Sequence, residues 1–355
     1  MVYSVLLQFE DAKALMTKSV LMQGEFQMKQ NKTKALREGA MMVALTIVLI
    51  IVTQYVPFIS VFSTLACGIP MGTMAARNGM KGIVPAIIAV FLVAILVTGT
   101  FLSAVSVILM AVVPGTTAGY VLGKKKGFFS ALFATCTAVC VGWLFELFVL
   151  YAFVGNGIDD LFAQTMKMTE EMMKPLTESF SQAGITIGNM SGEEFVGAFI
   201  ESIGKTFRLY FPSIIIMSSV FEGYLIMRVC AFVIKRTKVA DVAIVPFSEM
   251  KATRSMCFVG ILCYLIGFFA GVESVFGAVI ANAVFILYAL IGICGLSLVD
   301  YKLKGAIKSA WGRFGIYFAV FLFGSFLMSF VTMALIILGV LDSSRDFRNV
   351  GEQME

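Results

Sequence analysis

Apolar runs of the length needed to cross a bilayer recur along nearly the whole chain, and they leave it little other way to fold. A spanning helix needs about 20 mainly apolar residues. Runs that reach or approach that length are Gly39 to Tyr55, Val61 to Ala76, Ile83 to Val97, Phe101 to Leu122, Phe128 to Val154, Phe211 to Ile234, Met256 to Val272, Val275 to Leu298 and Phe314 to Leu341. Hydrophobic residues make up 59% of 355 and charged residues only 14%, against about 25% charged in a soluble domain. Too few charges remain to cover a water-exposed surface, so the surplus apolar surface faces lipid. The fold class that follows is an all-α membrane protein, a polytopic bundle of about nine transmembrane helices.

Loop charge sets an orientation. Alternation places Arg77 and Lys81, then Lys124 to Lys126, then Lys235, Arg236, Lys238, Lys251 and Arg254, then Lys302, Lys304, Lys308 and Arg313 on one side. The short loops left for the other side, Val56 to Ser60, Gly99 with Thr100, and Glu273 with Ser274, carry no Lys or Arg. By the positive-inside rule the first side is cytoplasmic. Nine spans with the N-terminus cytoplasmic and the C-terminus extracytoplasmic are expected in a bacterial cytoplasmic membrane.

No short apolar core with a small-residue cleavage site opens the chain, so the first span is expected to stay as the anchor. Residues 1–38 form a cytoplasmic N-terminal segment. Met1 to Gln27 is neither apolar enough to span nor strongly basic, whereas Met28 is followed by a basic lead-in, Lys29 to Lys34. Gln23-Gly24-Glu25 is also encodable by a purine-rich ribosome-binding sequence. Two readings stand for 1–27, an untranslated stretch before a start at Met28 and a short interfacial amphipathic helix.

The long outer connection 155–210 holds eight acidic and four basic residues. Leu161, Phe162, Met166, Met172, Met173, Leu176 and Phe180 recur at near-helical spacing, and Ser191 with Glu194 makes a capping box before Phe195, Phe199, Ile203 and Phe207. An extracytoplasmic amphipathic helical hairpin is expected, turning through Gly184 to Asn189 and either lying on the membrane surface or capping a cavity.

Composition also removes chemistry. Histidine is absent, which eliminates the commonest general base and metal ligand. The seven cysteines sit in or beside apolar runs with no CxxC pair and read as buried apolar residues. No phosphate-binding loop of Walker type occurs, and Gly119 to Lys126 has the wrong spacing for one. No enzyme activity, catalytic residue, metal, cofactor or nucleic-acid partner is expected, and any ATP-driven step must come from another subunit.

Polar residues within the spans are few. Glu146, Glu222 and Arg228 are the ionisable ones, and a charge at bilayer depth costs at least about 2.5 to 3.5 kcal/mol. Counted at about 1.5 Å per residue, Glu146 lies about 12 Å and Glu222 about 16 Å below the outer ends of their runs. With Ser218, Ser219 and Trp143 nearby, and Gln54, Tyr151 and Tyr210 near the mouth, they form the floor of an expected outward-opening solute pocket. In the competing reading each glutamate is a protonated interhelical hydrogen-bonder. Small residues four apart, Ala40 with Ala44, Gly68 with Gly72, and Gly115, Gly119 and Gly123, mark places of close helix approach.

Several of these residues carry a resemblance. Ala40-Met-Met-Val-Ala44, Gly68-Ile-Pro-Met-Gly72, Arg77-Asn78-Gly79 and Pro114 through Gly123 with Lys124 to Lys126 make 39–234 similar to the six-helix substrate-binding subunits of energy-coupling-factor transporters. The whole chain resembles the YybS-like bacterial membrane proteins, an uncharacterised family related to them. The resemblance implies capture of a small solute and a docking face at Ala40 and Ala44 for a transmembrane coupling protein with its ATPases. Residues 235–355, with three further spans, and the insert 155–210 depart from the compact six-helix pattern. The rival functions are a membrane scaffold that carries no solute and a proton-coupled secondary transporter using the two glutamates.

Overall fold

In the computed structural model the described residues are 33, 36–56, 63–153, 157–183, 186–187, 190–242, 244–323, 328–345, 347 and 348. The segment 1–27, with its two readings, lies outside them. The helices are α1 Leu36–Tyr55, α2 Ser63–Asn78, α3 Met80–Thr98, α4 Phe101–Gly123, α5 Phe128–Phe153, α6 Ile158–Ala183, α7 Gly192–Arg236, α8 Arg254–Ala270, α9 Val275–Ala306, α10 Ala310–Phe323 and α11 Met328–Ser344. Two-residue strands, β1 Thr186–Ile187 and β2 Met190–Ser191, pair antiparallel between α6 and α7. The protein is therefore all-α, and five helices, α1, α4, α5, α7 and α9, are long and apolar enough to cross a membrane.

Within these helices threonine hydroxyls donate to the carbonyl one turn back, as at Thr46, Thr73, Thr135 and Thr332. Each hydroxyl is thereby satisfied without water. Helix starts are capped by side chains where the chain turns: Thr100 accepts from the Ser103 amide, Thr253 from Met256 and Ser274 from Gly277.

The described chain falls into two compact units. One comprises the residues up to Gly142 with Glu222–Val242, the other Trp143–Phe221 with the residues from 243 on. The first unit is built on α2 and α4. Gly68 faces Gly115, Gly72 faces Gly119 and Ala76 faces Gly123. The constant offset along both helices means that they run parallel. A β-carbon on Gly119 would overlap the Gly72 carbonyl, and one on Gly68 would come within 2.6 Å of the Ala111 oxygen. The contact is backbone against backbone, the approach that small residues allow where lipid supplies no hydrophobic drive. A π-turn at Ile108–Val112 precedes Pro114 in α4. Beside this seam Ile50, Met71, Val90 and Val112 form the core.

In the second unit α6 and the first half of α7 form a hairpin. Phe162 packs against Phe207 and Phe211, with ring centroids 5.4 and 5.2 Å apart. The capping box closes in both directions, the Ser191 amide donating to Glu194 Oε2 at 2.8 Å and the Glu194 amide to Ser191 Oγ at 3.2 Å. That amide bond to Ser191 holds the Glu194 carboxyl below its ordinary pKa.

The sixth expected span and the second hairpin helix are one element. α7 is continuous over 45 residues, about 67 Å at 1.5 Å per residue, against about 30 Å of hydrocarbon. Pro212 lies inside it and removes the amide that would have bonded the Arg208 carbonyl, and Asn282 of α9 bonds the pair of groups next along. The Ser213 amide donates to Asn282 Oδ1 at 3.1 Å, and Asn282 Nδ2 donates to the Leu209 carbonyl at 2.8 Å. The Ser213 amide and the Leu209 carbonyl, one turn apart on α7, thus both meet one side-chain amide. With no break at 210, the hairpin continues along the helix axis.

The last expected span, Phe314 to Leu341, is corrected. α10 and α11 are separate helices flanking 324–327, which lie outside the described residues. Gly292 faces Ile336, Gly295 approaches the Gly339 nitrogen and Gly339 approaches Ile291, so α11 runs parallel to α9. Its end returns to the end of the bundle where α8 begins, and Arg254 donates to the carbonyls of Ser343 and Ser344. The end of α11, expected on the opposite side from Arg254, therefore lies beside it. Hydropathy alone does not register a reversal inside one long apolar run.

A buried ion pair locks that end. Arg348 and Asp342 have side chains 0% and 1% exposed, with Nη2 2.8 Å from Oδ2. The guanidinium also donates to the Ser248 carbonyl, to Ser297 Oγ and to the Cys294 carbonyl. It thus ties α11 to α9 and to the short 3-10 turn Phe247–Glu249. Removing one partner leaves a buried charge uncompensated, a loss of about 3–5 kcal/mol. Arg348→Met should lower the thermal unfolding temperature of the detergent-solubilised chain sharply. Arg348→Met combined with Asp342→Leu should recover most of that loss, and equal melting of single and double variants would refute the ion-pair role.

Candidate functional site

Concave space with the dimensions of a small solute lies in the second unit, among α8, α9 and α11. Two open clefts of about 550 Å³ each share Tyr288, Thr332 and Ile336 as lining residues and so adjoin, and together they make a two-lobed chamber open on one side. One lobe extends past Cys257, Ile261 and Met333. The other extends past Tyr210, Tyr264 and Phe285.

The elements explain why space remains here. Gly292, Gly295 and Gly339 bring α9 and α11 together toward one end. Further along, Tyr264 of α8 and Tyr288 of α9 stand between the helices, their rings stacked with centroids 5.9 Å apart and 22° between planes. Tyr210 lies over Phe285 at 5.2 Å. Tyr264 is ten residues along α8 from Arg254, about 15 Å, and Tyr288 thirteen along α9 from Val275, about 20 Å. The concave space runs along α8 from Cys257 near its start to Val272 in the turn to α9.

Its chemistry is aromatic, aliphatic and hydroxylic. No Asp, Glu, Lys or Arg is among the described residues lining either lobe. The Thr332 hydroxyl donates to the Met328 carbonyl at 2.8 Å, which leaves its lone pairs to accept. An ionised guest would lose hydration here without gaining a counter-charge, whereas an uncharged guest with one or two hydrogen-bonding groups would not. Among the described residues no group of three or more His, Cys, Asp or Glu side chains is placed to hold a metal ion.

The residues singled out from the sequence fall in both units. Tyr210 lines the chamber. Trp143 and Glu146 are half-buried on α5, and Tyr151 is exposed near its end. On α7, Ser218 is exposed and Ser219 is buried, donating to the Ile215 carbonyl at 2.8 Å. Glu222 is half-buried and Gln54 exposed, both in the first unit. Neither unit by itself contains both Glu146 and Glu222. Ala40 and Ala44 are exposed on α1, beside Leu36, Met41 and Leu45.

Residues passed over in the sequence hold the second unit together. Asp300 accepts from Arg313 Nε at 2.8 Å and from the Tyr317 hydroxyl at 2.9 Å, closing the turn from α9 to α10. Asn282, the one amide side chain in the run Val275 to Leu298, was the detectable signal, because an amide in hydrocarbon needs a partner on another helix.

The chain is 25% identical over 324 residues to the uncharacterized protein YybS of Bacillus subtilis (strain 168), covering 91% of this chain and 99% of that protein. No solved structure matches it. The model of the family described as "Predicted membrane protein (DUF2232)" matches residues 44–343, a stretch that takes in both units and the whole chamber, and the chain belongs to that family.

Proposed function

We propose that this protein is the non-enzymatic, solute-binding membrane subunit of a transport system whose energy is supplied by another protein. The observation that carries the reading is the bilobed chamber around Tyr288, a space within the range of small-molecule sites that runs along α8 and α9. Its uncharged aromatic lining selects a small, largely apolar or ring-bearing solute with few hydrogen-bonding groups. This moves the solute from the Glu146 and Glu222 region to the chamber, with Tyr210 common to both. The similarity of 39–234 to the substrate-binding subunits of energy-coupling-factor transporters supports the same reading.

The membrane arrangement belongs to this proposal. Helices α1 to α5, α7, α8 and α9 span the bacterial cytoplasmic membrane, while α10 and α11 enter from the cytoplasmic side and return to it. The chain end after α11 is then cytoplasmic, beside the Lys- and Arg-rich turns, and the hairpin of α6 and α7 is extracytoplasmic. The exposed small-residue face at Ala40 and Ala44 is the docking site for a transmembrane coupling protein with its ATPases.

Three measurements test these statements. In a thermal-shift panel of uncharged, ring-bearing solutes on the purified chain, at least one member should stabilise it. Tyr288→Ala and Thr332→Val should weaken that stabilisation at least about tenfold. A panel without effect, or a solute that stabilises both variants as it does the parent, sinks the chamber as the site.

Single cysteines at Ser181, Lys125 and Arg345, in a background without the native seven cysteines, should divide under an impermeant thiol reagent. Ser181 should label from outside, Lys125 and Arg345 only after the inner face is opened. External labelling at Arg345 would restore the single last span and reject the returning pair.

Ala40→Leu with Ala44→Leu should abolish co-purification of a coupling protein and ATPase with the tagged chain from native membranes. Unchanged recovery with the double variant, or no such proteins with the parent, rejects the docking face.

A further inference from the structure

The hairpin has two apolar stripes on each helix, and only one of them is used. Phe162 and Met166 on α6 meet Phe207 and Gly204 on α7 and fill the seam. On one flank of that seam both helices line a charged groove with Lys167, Glu170, Lys174 and Glu193. At 100° per residue, Met168, Met172 and Leu176 fall on the other flank of α6, and Phe195 and Phe199 on the other flank of α7. The shared groove fixes which flanks lie together, so these five side chains form one face. They are exposed by 60%, 81%, 41%, 37% and 47% respectively.

In the membrane arrangement proposed above, lipid does not cover this face. Twenty residues up α7 from Lys235, about 30 Å, end the hydrocarbon near Ile215, and Phe199 is sixteen residues further, about 24 Å beyond. We propose that a second copy of the chain docks here, hairpin to hairpin, about a two-fold axis along the membrane normal.

Three features select a second copy. The first is register. Met166 lies against Gly204, and counting one residue for one along the antiparallel pair sets Phe199 level with Glu171 and Phe195 level with Pro175. Two copies in one membrane share their orientation, so the two-fold axis runs parallel to the hairpin. That axis places α6 of one copy opposite α7 of the other at equal height. Phe199 of each copy then enters between Met168 and Met172 of its mate, and Phe195 between Met172 and Leu176. The face is self-complementary, as an isologous contact requires, and it pairs methionine sulfur with aromatic rings.

The second feature is charge. The 155–210 stretch is net acidic, eight against four, but no charged residue shares the angular sector of the five apolar ones. The third is area. At about 200 Å² for each such side chain, the stated exposures amount to about 500 Å² per copy. The pair would remove about 1,000 Å² from water, the threshold for a specific contact.

The test uses the full chain in its native membrane with a photo-crosslinking phenylalanine analogue, p-benzoylphenylalanine, at Met172. Ultraviolet light should give an adduct of twice the chain mass whose crosslinked peptide contains Phe199. The same analogue at Lys174, on the groove side, should give at least tenfold less. Phe199→Glu, introduced with the Met172 crosslinker, should reduce the yield at least fivefold while the purified variant melts within a few degrees of the parent. No doubled-mass adduct above the Lys174 level, an adduct only with a different protein, or a yield indifferent to Phe199→Glu overturns the proposal.

Discussion

Hydrocarbon offers no hydrogen bonds, so every backbone group within the bilayer must find its partner in the protein. A related need for partners shows at Pro212, at one end of the apolar half of α7. A proline in mid-helix removes one amide donor and displaces the carbonyl one turn back. Here Asn282 reaches from α9 to take the Ser213 amide and give a proton to the Leu209 carbonyl. α7 therefore runs unbroken from the hairpin through its apolar half. The second hairpin helix and the apolar half of α7 are thus one element.

The same absence of water explains how the helices are held together. Lipid tails are as apolar as leucine, so association depends on close approach and on polar pairs. The first unit uses approach, with Gly68, Gly72, Gly115, Gly119 and Gly123 forming a parallel seam in which backbones touch. The second unit repeats the device with Gly295 and Gly339 and adds polar locks, Asn282 to α7, Asp300 to Arg313 and Tyr317, and Arg348 to Asp342. A glycine seam leaves no cavity along its length. The chamber opens instead where bulky Tyr264 and Tyr288 replace glycine between the helices.

Much of the architecture was legible in the chain. The lengths of the apolar runs foretell α-helices, and Ser191 with Glu194 foretells the start of α7, because a capping box is a local interaction between residues three apart. The chamber was far less legible. Glu146 and Glu222 attract attention because a charge in a membrane is expensive, and that rule is blind to tyrosines and threonines that look unremarkable in an apolar run. Tyr210 was reached by its place near a helix end, whereas Tyr264, Tyr288 and Thr332 come from three separate helices and share nothing along the sequence.

By itself the sequence determined that the protein is helical and membrane-embedded, where its Lys and Arg cluster, and which local caps form, since each of these depends on residues within a turn or a run of each other. Only the tertiary structure decided that α7 is one helix across two sequence-predicted elements, that α11 turns back parallel to α9, and that Arg348 closes on Asp342. Each of those outcomes depends on which distant side chain satisfies a buried polar group or fits a glycine gap, such as Asn282 at Pro212 or Ile291 at Gly339. Hydropathy measures the cost of leaving water, and that cost is the same whether an apolar segment goes straight across or comes back.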